Sequence, residues 1–346
     1  MQIRRSVLDL SVMNAGQTSA DALRTTTALA RHADALGYER IWVAEHHSMP
    51  SVACTAPPVL VAHLAANTAR IHVGSGGVML PNHSPLAVAE QFAMLEALYP
   101  GRIDLGIGRA PGSDQATAAL LRGPRRHNVD EFPEDLIDLM GLLGDRRTED
   151  GLWDRCSATP APSSFPGIFL LGSSDYSARL SARLGLPFGY AHHFDMAGPD
   201  LRTTIAVAAL YRDNFRPSPV RAEPHLIITA NALAAETAEE AAFHAGPGQL
   251  TALGRRTGRF MPMVSPQEAA AHPDIATARS MPTARITGDV ATVEAGLATL
   301  AEYTRADEVM ITCVAHDLDA RLRSLELLAP DASAVSRSGA LDRTLV

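Results

Sequence analysis

Short apolar runs and helix-like segments alternate along almost the whole chain, and this alternation limits the possible folds more than any other feature. The runs are rich in valine, isoleucine and leucine, which is typical of parallel strands buried on both faces. Eight such runs with helices between them, in 346 residues, predict an α/β fold of the (β/α)8 TIM-barrel type. The strands are expected at Val7–Val12, Ile41–Ala44, Ile71–Leu80, Ile103–Ile107, Ile168–Leu171, Phe188–Ala191, His225–Ala232 and Glu308–Val314.

An open doubly wound sheet is the main alternative to the barrel. It needs a Gly-x-Gly-x-x-Gly turn after its first strand, and the segment Asn14–Gly16 does not supply one. Helical periodicity predicts the intervening helices, whereas Gly144–Gly167 and Gly246–Ile286 are irregular and are interpreted as insertions after strands 4 and 7. The helices are expected at Ala20–Leu36, Pro57–Asn67, Pro85–Leu98, Glu131–Leu143, Ser177–Leu184, Leu201–Phe215, Ala238–Ala245, Val290–Tyr303 and Asp317–Leu328.

One barrel domain is expected over residues 1–330, followed by a loosely held tail over residues 331–346. The formal net charge is −8, which disfavours nucleic acids and anionic membranes as partners. Three widely spaced cysteines form neither a disulfide framework nor a zinc motif. With no signal peptide and no apolar stretch of about 18 residues, we expect a soluble cytoplasmic protein.

Histidines follow two of the predicted strands. Glu45-His46-His47 follows the second strand, and His192 and His193 follow the sixth. Imidazoles at the carboxyl end of a barrel serve as general bases, hydrogen-bond donors or metal ligands, although one of each pair can also simply pack or cap a loop. Because adjacent side chains on a strand point to opposite faces, we expect at most one of His46 and His47 to face the pocket.

Glycines and an arginine mark the ends of the third and fourth strands. Gly74, Gly76 and Gly77 interrupt a strand, which favours either a flat ligand lying against the backbone or a β-bulge. Arg109 follows Gly108, where its guanidinium is suited either to a phosphate or carboxylate ligand or to a surface salt bridge. The residues alone leave both alternatives open.

The segment Leu171–Ser177 links the fifth strand to its helix and has the composition of an anion site. Gly172 precedes Ser173 and Ser174, and backbone N–H groups at a helix N-terminus attract anions. Ser174 or Asp175 can equally be an ordinary N-cap. Three serines exceed what one cap needs, so together with Arg109 they favour a phosphate site.

A metal centre is the minority interpretation of the histidines. The two histidine pairs and His83 are candidate ligands, but a barrel metallohydrolase also needs His-x-His on its first strand and a late aspartate. The first strand offers only Asp9, although Asp317 follows the eighth. We therefore predict no metal.

The ordered set of motifs resembles the luciferase-like flavin monooxygenases, in particular the branch found in polyketide pathways and as stand-alone oxidoreductases. The resemblance covers nearly the whole chain. It depends on VAEHH, VGSGGVMLPNHSPLAVAEQF, LEALYPGRIDLGIGRAPGSDQ, LLGSSDYSARLSARLGLPFGYAHHF and ITGD, at Val43–His47, Val73–Phe92, Leu95–Gln115, Leu170–Phe194 and Ile286–Asp289.

The resemblance implies a barrel that binds reduced FMN, with deazaflavin in a related branch. It implies a non-prolyl cis peptide bond behind the flavin ring, which would fall at Gly76–Gly77. The catalytic candidates are His46, the match to the family histidine of the flavin-peroxide chemistry, and His193. The substrate-pocket candidates are His47, Gly108 and His192. The cofactor-binding candidates are Gly76, Gly77, Arg109, Gly172, Ser173, Ser174, Tyr176 and Ser177.

The function implied is that of a two-component FMN-dependent monooxygenase. A separate flavin reductase would supply reduced FMN, which reacts with O2 to a C4a-(hydro)peroxide that oxygenates a small organic or polyketide substrate. Segments 112–128 and 246–286 would form a lid. The alternatives are a deazaflavin-dependent hydride-transfer oxidoreductase and a non-catalytic flavin-binding protein. Relatives commonly form homodimers through early barrel helices, and the apolar segments Pro57–Asn67 and Pro85–Leu98 would permit this.

Two departures from the family pattern bear on the activity. The luciferase itself has a cysteine beside the flavin where this chain has Gly108, and an acidic residue where this chain has Ser173. Light emission is therefore not implied.

Overall fold

A computed structural model describes residues 3–122, 131–194, 200–259 and 262–330. Within these residues, eight parallel strands form a closed barrel, as the sequence predicts, and a ninth strand lies outside it. Apolar strands with few polar residues suit the barrel wall, because helices cover its outer face and side chains fill its interior. The strands are β1 Arg4–Asp9, β2 Arg40–Val43, β3 His72–Met79, β4 Ile103–Gly108, β5 Gly167–Gly172, β6 Phe188–Tyr190, β7 Leu226–Ala235, β8 Ile286–Asp289 and β9 Glu308–Thr312.

Strand β7 closes the barrel and also carries the extra strand. Its first half pairs with β6 and with β9, which in turn pairs with β1. Its last residues, Ala232–Ala235, pair instead with β8. The sequence analysis did not predict β8, because a strand of four residues with a glycine and an aspartate has no alternating or continuous apolar pattern.

The helices surround the barrel and match the predicted positions except within the two segments that were expected to be loops or irregular. Residues Gln115–Arg122, which were expected to be a loop, form a helix, and the helix that begins at Ala238 continues through Pro247 to Arg256. Pro266–Ala271 and Ile275–Ser280 form two further helices that were not predicted, in the segment expected to be irregular. The helices are α1 Ser19–Ala35, α2 Pro57–Ala66, α3 Pro85–Leu98, α4 Gln115–Arg122, α5 Phe132–Leu142, α6 Asp175–Leu184, α7 Arg202–Asp213, α8 Ala238–Arg256, α9 Pro266–Ala271, α10 Ile275–Ser280, α11 Val290–Thr304 and α12 Leu318–Leu327.

Packing explains why α8 continues where Gly246, Pro247 and Gly248 indicated a break. Leu250 of α8 packs with Ala269 of α9 and Ala278 of α10 in a separate apolar cluster. This tertiary burial offsets the cost of a proline and two glycines, since packing of an apolar face provides most helical stability in proteins. The second insertion is therefore largely helical. Residues 123–128 of the expected lid and the tail 331–346 lie outside the described residues.

Side chains fill the barrel interior in a small cluster of large residues. Trp42 and Phe169 meet edge to face, with ring centroids 4.9 Å apart, and Leu8, Ile227 and Met310 complete the cluster. These packed side chains fill the interior of the barrel, so a ligand can enter only from the end of the barrel formed by the carboxyl-terminal ends of the strands. No helix of the described residues is both long and apolar enough to cross a membrane.

At the amino-terminal ends of the strands lies a buried charge network, which we call the lower network: Arg40, Asp104 and Glu308. Arg40 donates to Asp104 Oδ2 at 2.6 Å and to Glu308 Oε1 at 2.8 Å. Ser6 and His225 also bond Glu308. Burial by itself raises the pKa of Glu308, but the Arg40 charge and these hydrogen bonds outweigh it and lower that pKa to about 2.

Candidate active site

A cavity of about 1050 Å³ opens at the carboxyl-terminal end of the barrel. Segments that follow β1, β2, β6 and β9 line it, together with α8 and the segment before β8. Among the predicted site residues, His46, His47 and His193 line this cavity. Active sites of TIM barrels lie at this end, because the strand-to-helix loops converge there.

The buried carboxylate of Glu45 organises the loop that carries the first histidine pair. One of its oxygens bonds His47 Nε2 and His83 Nε2, each at 2.8 Å, and the other accepts the Met79 N–H at 3.0 Å. Burial by itself raises the pKa of Glu45, but the hydrogen bonds from His83, His47 and Met79, with the His83 charge, lower it overall. Glu45 thus ties the loop after β2 to the end of β3.

Glu45, His47 and His83 also offer ligand atoms within 4.8 Å of one another. This group differs from the metallohydrolase pattern considered from the sequence, which needed ligands on the first strand. The hydrogen bonds already satisfy the carboxylate, which is the arrangement of a positioning group.

Both histidines of the first pair line the cavity, so the expectation that only one would do so was wrong. Strand β2 ends at Val43, and the alternation of side chains across a strand does not extend to His46 and His47. The side chain of His47 is held by Glu45, whereas the Nδ1 atom of His46 is buried without a hydrogen-bond partner in the described chain.

The second pair separates in the opposite way. His193 lines the cavity, whereas the buried ring of His192 bonds the Thr204 hydroxyl of α7 at 2.9 Å and lies outside the cavity lining. A short 3-10 turn over His192–Phe194 directs the two rings to different neighbours. The structure thus does not bring His192 to the pocket where the sequence analysis predicted it.

Burial lowers the pKa of His46 and of His193, two of the histidines that line the cavity. For His46 the Arg255 charge adds to burial, and Glu45 opposes it. For His193 burial is the main cause, and its pKa falls to about 3. The Nδ1 atom of His193, like that of His46, is buried with no partner in the described residues. Two imidazoles that line one cavity thus each contain a buried nitrogen without a partner among the described residues, and an unsatisfied buried polar atom costs about 1–3 kcal/mol unless a ligand or water bonds it.

A second group of predicted residues forms what we call the cradle: Arg109, Gly172, Ser174, Tyr176 and Ser177. The Arg109 guanidinium lies over the Tyr176 ring, 4.0 Å from its centroid, which joins the end of β4 to the first turn of α6. Arg109 pairs with no carboxylate of the described residues, so the surface salt bridge considered from the sequence is not formed within them.

The glycine of the cradle is needed for packing. A Cβ at Gly172 would lie 2.1 Å from Ser177 Oγ, so the glycine lets this hydroxyl sit against the strand end. Ser177 Oγ lies 3.4 Å from Ser174 Oγ. Ser174 is the N-cap residue of α6, and in the described structure its hydroxyl accepts no hydrogen bond from a backbone N–H of the helix. Ser173, the remaining predicted phosphate ligand, is exposed beside it.

The chemistry of the cradle fits the phosphate of FMN. A guanidinium, two hydroxyls and the N-terminus of a ten-residue helix converge there. The cradle does not line the cavity, but the two are joined by neighbouring strands: the Ala191 N–H donates to Gly172 O at 3.0 Å, two residues before His193. A ligand with a phosphate in the cradle can extend from there to the histidines.

Gly76 and Gly77 are joined by a cis peptide bond, as the family resemblance implies. The register of β3 with β4 also shifts between Gly76 and Val78, which is the bulge considered from the sequence. A Cβ at Gly76 would lie 2.8 Å from a methyl carbon of Leu8, so interior packing requires this glycine. Gly77 is crowded by the backbone of Gly106, and neither glycine lines the cavity. Their contact with a flavin stays a prediction.

Gly108 lies at the end of β4 opposite Met79, where a Cβ would be 2.8 Å from the Met79 sulfur. It does not line the cavity either, so the structure does not bring it into the substrate pocket. Arg255 and Arg285, which do line the cavity, were not among the predicted residues. Both fall in the stretch interpreted as an irregular insertion, and no local pattern there indicated that it folds over the barrel.

Comparison with known proteins decides the family. A model of the luciferase-like monooxygenases matches residues 3–304. The chain belongs to this family. A luciferase-like monooxygenase of Escherichia coli (strain K12) is 41% identical over 335 residues, which are 93% of this chain and 95% of the relative.

Two solved structures share the whole fold of this chain. The structure of apo-MsnO8 is 36% identical, with a TM-score of 0.86 over 96% of this chain and 98% of that one. The oxygenating constituent of 3,6-diketocamphane monooxygenase from Pseudomonas putida, in complex with FMN, has a TM-score of 0.71 over 95% of this chain and 97% of that one. At 20% identity the latter shows the fold alone.

Proposed function

We propose that this luciferase-like monooxygenase is a two-component enzyme that uses reduced FMN, supplied by a separate flavin reductase, and O2 to oxygenate a small organic or polyketide substrate. One observation carries the proposal: the cradle lies at the ends of β4 and β5, and His193, which lines the cavity together with His46, follows the neighbouring strand β6. This arrangement suits a ligand with an anionic tail and a large polar ring system.

In this proposal, some residues of the chain would bind the flavin and others would exclude water from the reacting atoms. Arg109, the serines and the N-terminus of α6 would hold the FMN phosphate. Bound reduced flavin supplies the reaction with O2. His46, neutral at pH 7, would exchange a hydrogen bond or a proton with the reacting group. Apolar residues of the cavity, among them Val12 and Met263, would keep water from the reacting atoms.

The direct test is titration of the purified protein with reduced FMN, oxidised FMN and riboflavin, followed by flavin fluorescence, with an oxygen electrode to follow O2 uptake. We expect FMN to bind at least about tenfold more tightly than riboflavin, because only FMN fills the cradle. Reduced FMN should be retained and should consume O2.

Two outcomes would support the other functions instead. Preference for a reduced deazaflavin without O2 uptake would indicate hydride transfer. Flavin binding with a reaction indifferent to His46→Ala would indicate a flavin-binding protein without catalysis at this histidine.

We also propose that two copies pair through α2 and α3. Both helices are apolar around their circumference, and Val59 of α2 and Leu98 of α3 are 72% and 62% exposed. Exposed apolar side chains on neighbouring helices suit an interface between copies. Light scattering of the wild type and of Val59→Glu with Leu98→Glu should show a dimer and a monomer, respectively; a monomeric wild type contradicts the proposal.

A further inference from the structure

The cavity is lined by more positively than negatively charged side chains. Arg255 lies in the last turn of α8, and Arg285 directly precedes β8. We call these two residues the arginine wall. Both line the same cavity as His46, and no carboxylate of the described residues forms an ion pair with either of them.

The two carboxylates that line the cavity are already engaged elsewhere. Asp9 pairs with Arg321 at 2.5 Å. Asp114 accepts the N–H groups of Ala116 and Thr117, at 2.9 and 3.0 Å, in its own turn. The charge of the arginine wall therefore remains for a ligand.

The packing around Arg285 holds its guanidinium in place. A Cβ at Gly248 of α8 would lie 2.6 Å from Arg285 Nη1, so the guanidinium rests where this helix lacks a side chain. Burial and the nearby Arg255 charge lower the pKa of Arg285 to about 10. Arg285 is half-buried and Arg255 is exposed, so an anion bound between them would offset the repulsion that the half-buried guanidinium feels.

The rest of the cavity wall is largely apolar and adaptable. Leu10 and Val12 follow β1, and Met49, Met263 and Met281 come from three other segments. Methionine side chains are flexible and fit apolar groups of irregular shape. The cavity thus suits an amphiphilic molecule with one anionic group.

We infer that the arginine wall binds the carboxylate of the substrate and thereby selects organic anions with an apolar body. This inference rests on the proposed function, in which the FMN phosphate occupies the cradle. A carboxylate held by Arg255 and Arg285 places the apolar body beside His46, since all three residues face one cavity.

An anion at the arginine wall has two possible sources, the substrate carboxylate and the flavin phosphate, and binding experiments separate them. The probes are 3-phenylpropanoate, octanoate and indole-3-acetate, each compared with its uncharged amide by ligand-observed NMR. The proteins are the wild type, Arg255→Met, Arg285→Met and Arg285→Lys, and each is also titrated with FMN and riboflavin.

We expect the wild type to bind at least one carboxylate about tenfold more tightly than its amide. This preference should fall to within about twofold in both methionine variants and be partly kept in Arg285→Lys. FMN affinity should be unchanged in all of them. The matched variant Arg109→Met should lose FMN affinity and keep the carboxylate preference.

The inference is overturned if no carboxylate is preferred to its amide, or if the preference survives both Arg255→Met and Arg285→Met. Loss of FMN affinity, with riboflavin binding unchanged, in the arginine-wall variants would assign the wall to the flavin phosphate and overturn it as well. A wild type that prefers carboxylates but binds no FMN would instead contradict only the proposed function.

Discussion

At the amino-terminal end of the barrel, the buried Arg40 bonds both Asp104 and Glu308. At the opposite end, Arg255 and Arg285 face a cavity with no carboxylate partner among the described residues. The histidines differ in the same way: His225 bonds Glu308, whereas the Nδ1 atoms of His46 and His193 have no hydrogen-bond partner in the described parts of the chain. The lower network thus satisfies its buried charges within the chain, whereas the half-buried Arg285 and the exposed Arg255 have no such partner among the described residues.

The difference separates a structural use of charge from a ligand-binding one. Removing charge from water costs several kcal/mol per ion, roughly, unless a partner compensates it. The lower network supplies that compensation from within the chain. The cavity and the cradle leave it to a ligand, which is the physical reason to place function at that end.

The largest expected effect comes from breaking the lower network. Arg40→Met leaves Asp104 and Glu308 buried without their cation, so the free energy of unfolding should fall by about 3–5 kcal/mol. Urea denaturation measures this change. The matched variant Arg255→Met, which breaks no ion pair among the described residues, should stay within about 0.5 kcal/mol of the wild type. Equal losses of unfolding free energy in Arg40→Met and Arg255→Met would contradict the distinction between a structural charge network at one end of the barrel and a ligand-binding one at the other.

The next effect concerns the cradle. Arg109→Met should weaken FMN binding roughly tenfold to a hundredfold and leave riboflavin binding unchanged, because a charge-assisted contact to the phosphate is lost. Flavin fluorescence titration measures both affinities. Arg179→Met serves as the control, because it changes an exposed arginine of α6, the helix whose N-terminus belongs to the cradle. This variant should bind FMN normally. An unchanged ratio of FMN to riboflavin affinity in Arg109→Met contradicts the phosphate site.

A smaller effect is the contribution of His193 to stability against acid. Its pKa lies near 3 in the folded protein against an ordinary 6.5, so below pH 6.5 the unfolded chain binds the extra proton. The stabilisation is therefore full above pH 6.5 and is lost as the pH falls, by at most about 1.4 kcal/mol per pH unit.

Urea denaturation between pH 6.5 and 5 tests this contribution. His193→Gln should show a shallower loss of stability than the wild type, and His63→Gln, on the exposed face of α2, should show the same loss as the wild type. Parallel pH profiles for the wild type and His193→Gln would show that this ring is not desolvated.

The smallest effect is expected at Gly172. A Cβ there would collide with Ser177 Oγ and displace the hydroxyl from the cradle. Gly172→Ala should therefore weaken FMN binding by about 0.5–1.5 kcal/mol, the net value of one hydrogen bond. Ser177→Ala removes the same hydroxyl directly and should give a similar loss by fluorescence titration. A loss in neither variant would show that this hydroxyl does not bind the phosphate.

The sequence alone predicted all eight barrel strands and most of the helices, because a strand buried on both faces and an amphipathic helix each leave a local pattern. It also located candidate residues at strand ends, since the chain enters a loop there wherever the strands come together. His46, His193, Arg109 and the segment Gly172–Ser177 were found in this way, although their roles stay predictions.

Tertiary structure alone decided how these segments complement one another. Arg40 and Glu308 are 268 residues apart, and no local pattern indicates that they bond. The same holds for Arg255 and Arg285 beside His46, for the continuation of α8 through Pro247, and for β8. Periodicity reports which face of a segment is buried. It does not report which distant segment covers that face, because the contacts that fix the partner form only when the chain closes on itself.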